Sequence, residues 1–591
     1  MEPDMKKVFV RFAALFLAAA ICVCGTWTVS AASSNRMVRV GLAYGSGALV
    51  NANLENNTGY GSGYRFGYYD DSLNFVELGR TSQSQTALTM IKTQNTWVLK
   101  NGSSYTYSNS DNGGSLIGCY HIQMPGSYSD YSSASAAAAG YSDGFVAWID
   151  GEYQVRTGAY ATKEDAQAAL GGGEGTVVGT SSYGVNVTAT GSTQILFQFD
   201  GGSARALGIM PDVTGAGTVR TWFKGYRYYG GFRYERINGG NLTVVNIVDM
   251  ETYIKGVVPY EMSNSWPLEA LKAQAICARS YAYNNILQNK HKSYHFDVCN
   301  TTDCQVYCGA GSNSSSYQAN ARTDQAVEAT AGQYGWYDGS VIEAYYSASH
   351  GGASESVANV WGSSLSTYPY LCGVTDPYEA DMADKNSYSS WTVSYTTAQL
   401  TSRLQSKGYG VGTSVSSLTL TYSDLGNVIA VKVNFENGKS NTFKPTTIRS
   451  VFGVSSIRFN VNGQGAGSGS SSGSGSASGN LPVNGSGSLS DQDSYSVISG
   501  SGSISSVQRD DLYAISGSGA VDKVDSQTSS GGGSGTPSGT TVQVSGSSYS
   551  FNGSGNGHQL GMSQWGAYAM ANRGYTYDEI IEFYYPGTYV K

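Results

Sequence analysis

The stretch that most constrains this chain runs from Val244 to Asn285 and reads VVNIVDMETYIKGVVPYEMSNSWPLEALKAQAICARSYAYNN. It leaves a β-branched run, Leu242 to Val248, turns at Asp249, and presents a lone acid, Glu261, in a loop ahead of a helix. Pro267 suits a first helical turn, where its missing N–H costs nothing. Leu268, Leu271, Ala275, Ala278, Ala282 and Ile286 then recur at three- and four-residue intervals, which predicts one apolar, buried face. Alanines on that face let a neighbouring element approach closely, while Glu269, Lys272 and Arg279 fall elsewhere. Tyr260, Met262 and Trp266 flank Glu261 and could shield its carboxyl, which would keep it protonated near neutral pH. The plainer reading is a favourable negative charge at the positive end of a helix, and spacing alone does not separate the two.

A formal charge of −8 in 591 residues, with 13% charged, supplies no basic field for nucleic-acid phosphates. Nucleic acid is therefore not an expected partner. The 77 glycines and 45 tyrosines suit β-rich domains, flexible connectors and surfaces that stack on sugars or other uncharged partners. The length allows two to four domains.

Residues 1–31 read as an export signal: Lys6, Lys7 and Arg11 precede an apolar run from Phe12 to Cys24, and Val29-Ser30-Ala31 offers small residues for cleavage. This predicts an extracellular or wall location. If cleavage fails, the run stretched to Val29 is marginally long enough to span a bilayer, which leaves a membrane-anchored form open. With Cys22 and Cys24 in the signal, Cys119, Cys277, Cys299, Cys304, Cys308 and Cys372 remain, too few for a disulfide scaffold.

Residues 36–110 alternate as β-strands and carry no functional signal. Between 115 and 172 an internal repeat emerges: Tyr120-His121-Ile122-Gln123 then Gly126-Ser127-Tyr128, echoed by Tyr153-Gln154-Val155-Arg156 then Gly158-Ala159-Tyr160, each leading into an Ala-rich helical stretch. Strands resume from about residue 195 and lead into the Glu261 segment. After the helix, HKSYHFDVCNTTDCQVYCG places His291, His295, Cys299, Cys304 and Cys308 at short spacings. Soft sulfur with imidazole is how a tetrahedral Zn²⁺ is held, which points to His295, Cys299 and Cys304 with a fourth ligand from His291, Asp303 or Cys308. A disulfide among these cysteines is the equal alternative. Residues 463–541 are a Gly/Ser-rich insertion expected to be a flexible coil, in which SYSVISGSG and LYAISGSGAV echo each other as short strands.

The stretch PYEMSNSWPLEALKAQAICARSYA resembles the signature of the SpoIID/LytB family of peptidoglycan lytic transglycosylases. Two further stretches extend the likeness: VIEAYYSASHGGASESVANVWGSSLSTYPYLCGVTDPYE, and FNGSGNGHQLGMSQWGAYAMANRGYTYDEIIEFYYPGTYV near the end. The resemblance implies a mixed α+β, β-rich domain in two parts, 195–460 and 545–591, split by the insertion. It makes Glu261 the catalytic acid/base and gives Glu269 no such role. It implies substrate contacts from Tyr345, Tyr346, Ser347, Ser349 and His350 in the second motif and from His558, Ser563 and Gln564 in the third, with Arg279 added from the helix. Trp361 is as readily core as platform, and a cap role for Ser563 stands beside the substrate role. His350 stands where the family pattern has a small or amide residue, and Gln559 where it has Gly. Some members bind zinc with His and Cys near Cys299, at one of whose positions this chain has Asp303. The repeat at 115–172 resembles a SPOR domain, a βαβ-type fold whose family binds peptide-stripped glycan strands. Tyr128 and Tyr160 would stack on sugars there, or lie in the core.

A glycosidase that uses water needs two carboxylates, and no convincing second acid stands near Glu261. A lytic transglycosylase needs one: it protonates the leaving GlcNAc oxygen, then accepts the proton of the muramic acid's own C6 hydroxyl as that attacks and closes a 1,6-anhydro ring. This chemistry requires no cofactor, and any zinc would be structural. A stem-peptide-removing amidase is the expected companion. The other readings are a non-catalytic glycan-binding scaffold or activator of a wall hydrolase, and a muramidase that uses water.

Overall fold

In the computed structural model the structure describes residues 36–56, 62–212, 219–313, 318–465 and 539–591, together with the backbone of short strands between 482 and 523. The export segment 1–31 lies outside the described residues. Among the described residues no helix is long and apolar enough to cross a membrane.

The β-branched run forms the strand Thr243–Asp249, buried on both faces, which explains its unbroken rather than alternating apolar sequence. It lies inside a seven-stranded sheet ordered Val298–Cys299, Met37–Ala43, Thr243–Asp249, Gly231–Glu235, Leu207–Pro211, Tyr64–Tyr69, Phe75–Arg80. Met37–Ala43 pairs antiparallel with Thr243–Asp249 on one side and parallel with Val298–Cys299 on the other. The first described strand is thus a central strand of the sheet that carries the Glu261 segment.

A second sheet of ten strands contains the repeat. Its chain order is strand Tyr120–Gln123, helix Tyr131–Ala138, strands Phe145–Ile149 and Glu152–Tyr160, helix Lys163–Leu170, strand Thr176–Val178. Within the sheet the last strand lies beside the first, then Glu152–Tyr160, then Phe145–Ile149, a split βαββαβ arrangement. Phe145–Ile149 continues in parallel onto Ile195–Asp200, so the unit shares one sheet with the strands that follow it. The repeated Gly-x-Tyr has a local cause. Gly126 and Gly158 both adopt positive φ, and a Cβ on either would lie within 2.5 Å of the Tyr128 hydroxyl or the Tyr160 ring, because each tyrosine folds back over its glycine.

The third region is built from the end of the chain as much as from its middle. Val415–Tyr422 pairs with Val428–Phe435 and, across the insertion, with Thr541–Val544. Ser548–Gly553 inserts between Trp391–Thr396 and Phe459–Val461. Inside the insertion, Ser494–Ile498 pairs with Ile504–Gln508 and Tyr513–Ile515 with Val521–Lys523, the two echoing fragments each forming a hairpin. Pro482–Val483 pairs likewise with Gly487–Ser488, and the rest of 466–538 lies outside the described residues.

The helix Leu268–Gln288 is central rather than one-sided. Leu271, Ala275, Ala278 and Ala282 are buried as the spacing predicts, but so are Ala270, Ala273, Gln274, Ile276, Cys277 and Arg279 on other faces. Four helices close around it: Met250–Glu261, Ala321–Ala329, Gln564–Asn572 and Tyr577–Tyr584. Its small residues permit that approach.

Candidate functional site

Glu261 does not sit in a loop. It is the last residue of the helix Met250–Glu261, which begins at an Asp249 cap whose carboxylate accepts from the Thr252 N–H at 3.0 Å. Pro259 lies inside this helix, lacking the N–H that would bond the fourth preceding carbonyl, and its presence disguised the helix in the sequence. The chain leaves helical geometry at Met262, turns through Ser263 to Trp266, and enters the next helix from Pro267 as its cap.

This position acts on the carboxyl in two ways. The C-terminal end of a helix carries partial negative charge, which disfavours a carboxylate. Enclosure by protein then pushes the Glu261 pKa up from 4.5 to about 7, while hydrogen bonds from Gln564, Tyr346 and the Val306 backbone pull in the other direction. The Gln564 amide donates to Glu261 Oε2 at 3.4 Å and to Gln274 Oε1 at 3.2 Å. Burial dominates, so the group is poised between acid and base at neutral pH. Beside it Trp266 packs against Trp565, with ring centroids 4.8 Å apart, and against Tyr568 at 5.0 Å. All three rings are half-buried, and Glu261 itself is partly accessible. Such rings present stacking faces suited to sugars next to the acid.

The two later motifs meet here. Tyr346–Ser347 pairs in parallel with Met562–Ser563, which brings Tyr346 and Gln564 to Glu261 from segments more than 200 residues apart. Other expected site residues are placed differently. Arg279 is fully buried: it forks onto Glu251 at 3.0 and 2.6 Å and donates to the Gln333 carbonyl at 3.0 Å, which makes it a structural tie rather than a substrate contact. Tyr345 lies just ahead of that strand and packs edge-on to Trp361 at 4.6 Å. Trp361 is 40% exposed and lines a cavity of about 480 Å³ with Arg449, Ile457 and His558.

His558 is half-buried, its pKa pushed down to about 4 by desolvation, and its Nδ1 accepts from the Leu560 N–H at 3.0 Å. His350 is not a surface turn residue: it is fully buried, with its pKa pushed down to about 3. Ser349 and Ser563 are buried as well, and both donate to Glu379. Ser563 also caps Gln564–Asn572 by accepting from the Gly566 N–H at 3.1 Å. Ser347 is buried, and its hydroxyl finds no partner among the described residues. Gln559 takes the positive φ of 62° that favours glycine, and its side chain offsets that strain by bonding the Ile457 N–H and the His350 carbonyl at 2.9 Å each.

Gln274, Trp565, Tyr568 and Glu379 were not singled out by sequence reasoning. Gln274 lies off the apolar face, which was a usable signal. Nothing local distinguishes Glu379 from a surface acid.

The cysteine cluster assembles with one change of ligand. His291, Cys299, Asp303 and Cys304 bring their donor atoms within 4.8 Å of one another. His295 lies elsewhere, with Nδ1 2.6 Å from Glu235 Oε1, because a left-handed turn at that residue sends its ring away. Cys308 is apart from the cluster and all described cysteines are free thiols. His291 Nε2 lies 3.1 Å from Cys304 Sγ, and Cys299 is pulled toward thiolate by hydrogen bonds from Cys304, Thr301 and Tyr44. Two thiols, an imidazole and a carboxylate fit a tetrahedral zinc ion. Asp303 is the most exposed of the four and already carries Lys290 at 3.2 Å.

With that geometry in place, comparison with known proteins gives it relatives. Residues 238–337, which contain Glu261 and all four donors, match the family model described as SpoIID, stage II sporulation protein. Over these residues the chain is similar to the SpoIID domain. The chain is 31% identical to the amidase enhancer of Bacillus subtilis over 337 residues, 57% of this chain and 40% of that one. It is 29% identical to stage II sporulation protein D of the same organism over 226 residues, 37% and 62% of the two chains. An uncharacterized protein of Brachyspira hyodysenteriae is 45% identical over 150 residues, 25% and 38%. The match therefore spans less than two thirds of each of these relatives. The fold of the chain is α+β and strand-rich, as its sequence predicts.

Proposed function

We propose that this protein is an exported peptidoglycan lytic transglycosylase that cleaves the MurNAc–GlcNAc bond of peptide-stripped glycan strands, with Glu261 as its one acid/base. The observation that carries this reading is a carboxyl whose pKa is pushed up to about 7, set beside the Trp266–Trp565–Tyr568 cluster and touched by Gln564. Protonated Glu261 gives its proton to the leaving GlcNAc oxygen. As carboxylate it then takes the proton of the C6 hydroxyl while that oxygen bonds to the anomeric carbon and leaves a 1,6-anhydro ring. Gln564 and Tyr346, as donors, orient the carboxyl and steady the anionic form between the two steps. Mass spectrometry of products from peptide-free strands tests the reading. Anhydro-muramyl ends from wild type and none from Glu261→Gln are expected, whereas ends carrying one extra water would assign a muramidase.

A structural zinc held by His291, Cys299, Asp303 and Cys304 belongs to the same proposal. It would cross-link the strand Val298–Cys299 to the turn after the Leu268–Gln288 helix and take no part in the glycan chemistry. The split βαββαβ unit at 120–178 would bind the strand beyond the cleavage point. That assignment rests on resemblance, since the topology serves many functions.

The amidase enhancer's share of this chain, 57%, favours a second reading in which the protein binds glycan and stimulates a stem-peptide-removing amidase. Bound but uncut strands, with faster amidase turnover on addition of the protein, would select it.

A further inference from the structure

Glu379 holds together the two segments that reach Glu261, although neither its surroundings in the sequence nor its place in the fold puts it in the cleft. It is 4% exposed. Its Oε1 accepts from the Ser349 hydroxyl and from Asn386 Nδ2 at 3.0 Å. Its Oε2 accepts from the His350 N–H at 3.0 Å, the Gly351 N–H at 3.2 Å and the Ser563 hydroxyl at 3.0 Å. No ion pair to it is formed among the described residues, so these five donors carry the whole carboxylate. A buried carboxylate satisfied this way is costly to lose, because its donors would be left without partners.

The donors belong to particular places. Ser349, His350 and Gly351 follow the strand Tyr346–Ser347 with Ala348 between them, and Ser563 ends the parallel partner Met562–Ser563. Tyr346, three residues before Ser349, and Gln564, directly after Ser563, are the side chains that meet Glu261. Ser563 passes the constraint on by capping the helix that begins at Gln564. Asp376 and Arg458 are the other charged groups that act on Glu379; Asp376 is itself held by the Tyr584 hydroxyl at 2.5 Å.

We propose that Glu379 is a positioning residue: it locks the paired strand ends and so fixes Tyr346 and Gln564 on the catalytic carboxyl. This deepens the transglycosylase reading and rests on it for its kinetic consequence. Side chains two links from the chemistry act through placement, and a misplacement of about 1 Å costs on the order of 100-fold in rate.

The test uses the full exported chain. Glu379→Ala is expected to lower kcat on peptide-free glycan strands about 100-fold with KM within about threefold, and Glu379→Gln to recover part of that loss, since its amide oxygen can still accept from His350, Gly351 and Ser563. The second readout is independent of turnover. A water-soluble carbodiimide couples glycine ethyl ester to protonated carboxyls, and peptide mass spectrometry across pH gives the midpoint of Glu261. In wild type that midpoint is expected near 7; in Glu379→Ala it falls toward the ordinary carboxyl range as water enters, and in Glu379→Gln it stays closer to wild type.

Should Glu379→Ala fail to fold, Ser349→Ala removes one arm of the clamp at a buried residue whose bonds run to Glu379 and Asn386, and it should move the midpoint the same way by a smaller amount. Folded variants with wild-type kcat and an unmoved midpoint would overturn the clamp. If wild type releases no anhydro ends, the transglycosylase reading fails while the labelling still decides the clamp.

Discussion

In the proposed reaction Glu261 sets the chemistry, and the same carboxyl carries a cost to the fold. With a pKa pushed up to about 7, its acid form dominates below neutrality, so the rate of leaving-group protonation should fall as pH rises through about 7. A pH–rate profile of kcat on glycan strands checks this basic limb. The same shift bears on stability. Between 4.5 and about 7 the folded chain retains a proton that the unfolded chain releases, so stability is undiminished below 4.5 and declines as pH rises to 7. Glu261→Gln removes that decline. Its melting temperature should match wild type at pH 4 and exceed it at pH 8, by the equivalent of roughly 2–3 kcal/mol given the carboxyl's partial access to solvent. Equal melting curves at pH 8 would contradict the burial argument. Arg279 is the opposite case, all stability: Arg279→Ala strands the Glu251 carboxylate and the Gln333 carbonyl and should cost roughly 3 kcal/mol in denaturant titration. Glu261 was legible as a candidate acid from its motif. Its helical setting was not, since Pro259 reads as a break, and neither was the role of Arg279, because one arginine on a helix gives no sign of the Glu251 it will meet.

At the level of elements, the helix Leu268–Gln288 shows what periodicity can and cannot give. Its leucine and alanine face was readable at three- and four-residue intervals. That four helices would enclose the remaining faces was not, because the chain supplying two of them, Gln564–Asn572 and Tyr577–Tyr584, lies some 300 residues away. The cysteine cluster makes the same point on a smaller scale. His291 and His295 are four residues apart and chemically equivalent in sequence, and only the left-handed turn at His295 decides which one faces Cys299 and Cys304. Purified protein is therefore expected to bind one zinc, with His291→Ala or Cys304→Ser losing it and His295→Ala keeping it. Metal analysis after dialysis checks all three. Retention by His291→Ala with loss by His295→Ala would restore the ligand set that spacing alone suggests.

On the scale of the molecule, the chain closes on itself through strands its linear order keeps apart. Met37–Ala43 sits between Thr243–Asp249 and Val298–Cys299, so a fragment beginning near residue 195 would expose two unpaired strand edges where a buried sheet belongs. Such a fragment should be insoluble or aggregate, while one beginning at 36 folds, a contrast that size-exclusion chromatography reads directly. The insertion is the reverse situation. Its two flanks both approach one residue: the Cβ position of Gly465 is 3.8 Å from the Tyr422 hydroxyl, and that of Gly539 is 2.0 Å from the Tyr422 backbone carbonyl oxygen. Sheet pairing resumes at once with Thr541–Val544 on Val415–Tyr422. Because both ends rest on one tyrosine, a linker of about six Gly/Ser residues can replace 466–538 without moving either flank. Shortening a closed loop that far lowers its closure entropy by roughly 2 kcal/mol, so the replacement should melt at or above the wild-type temperature. Glycan cleavage should persist as well, since Gln564 and Ser563 reach the site from beyond the junction. A drop in melting temperature would mean that the hairpins at Ser494–Gln508 and Tyr513–Lys523 contribute packing that their Gly/Ser-rich surroundings do not reveal.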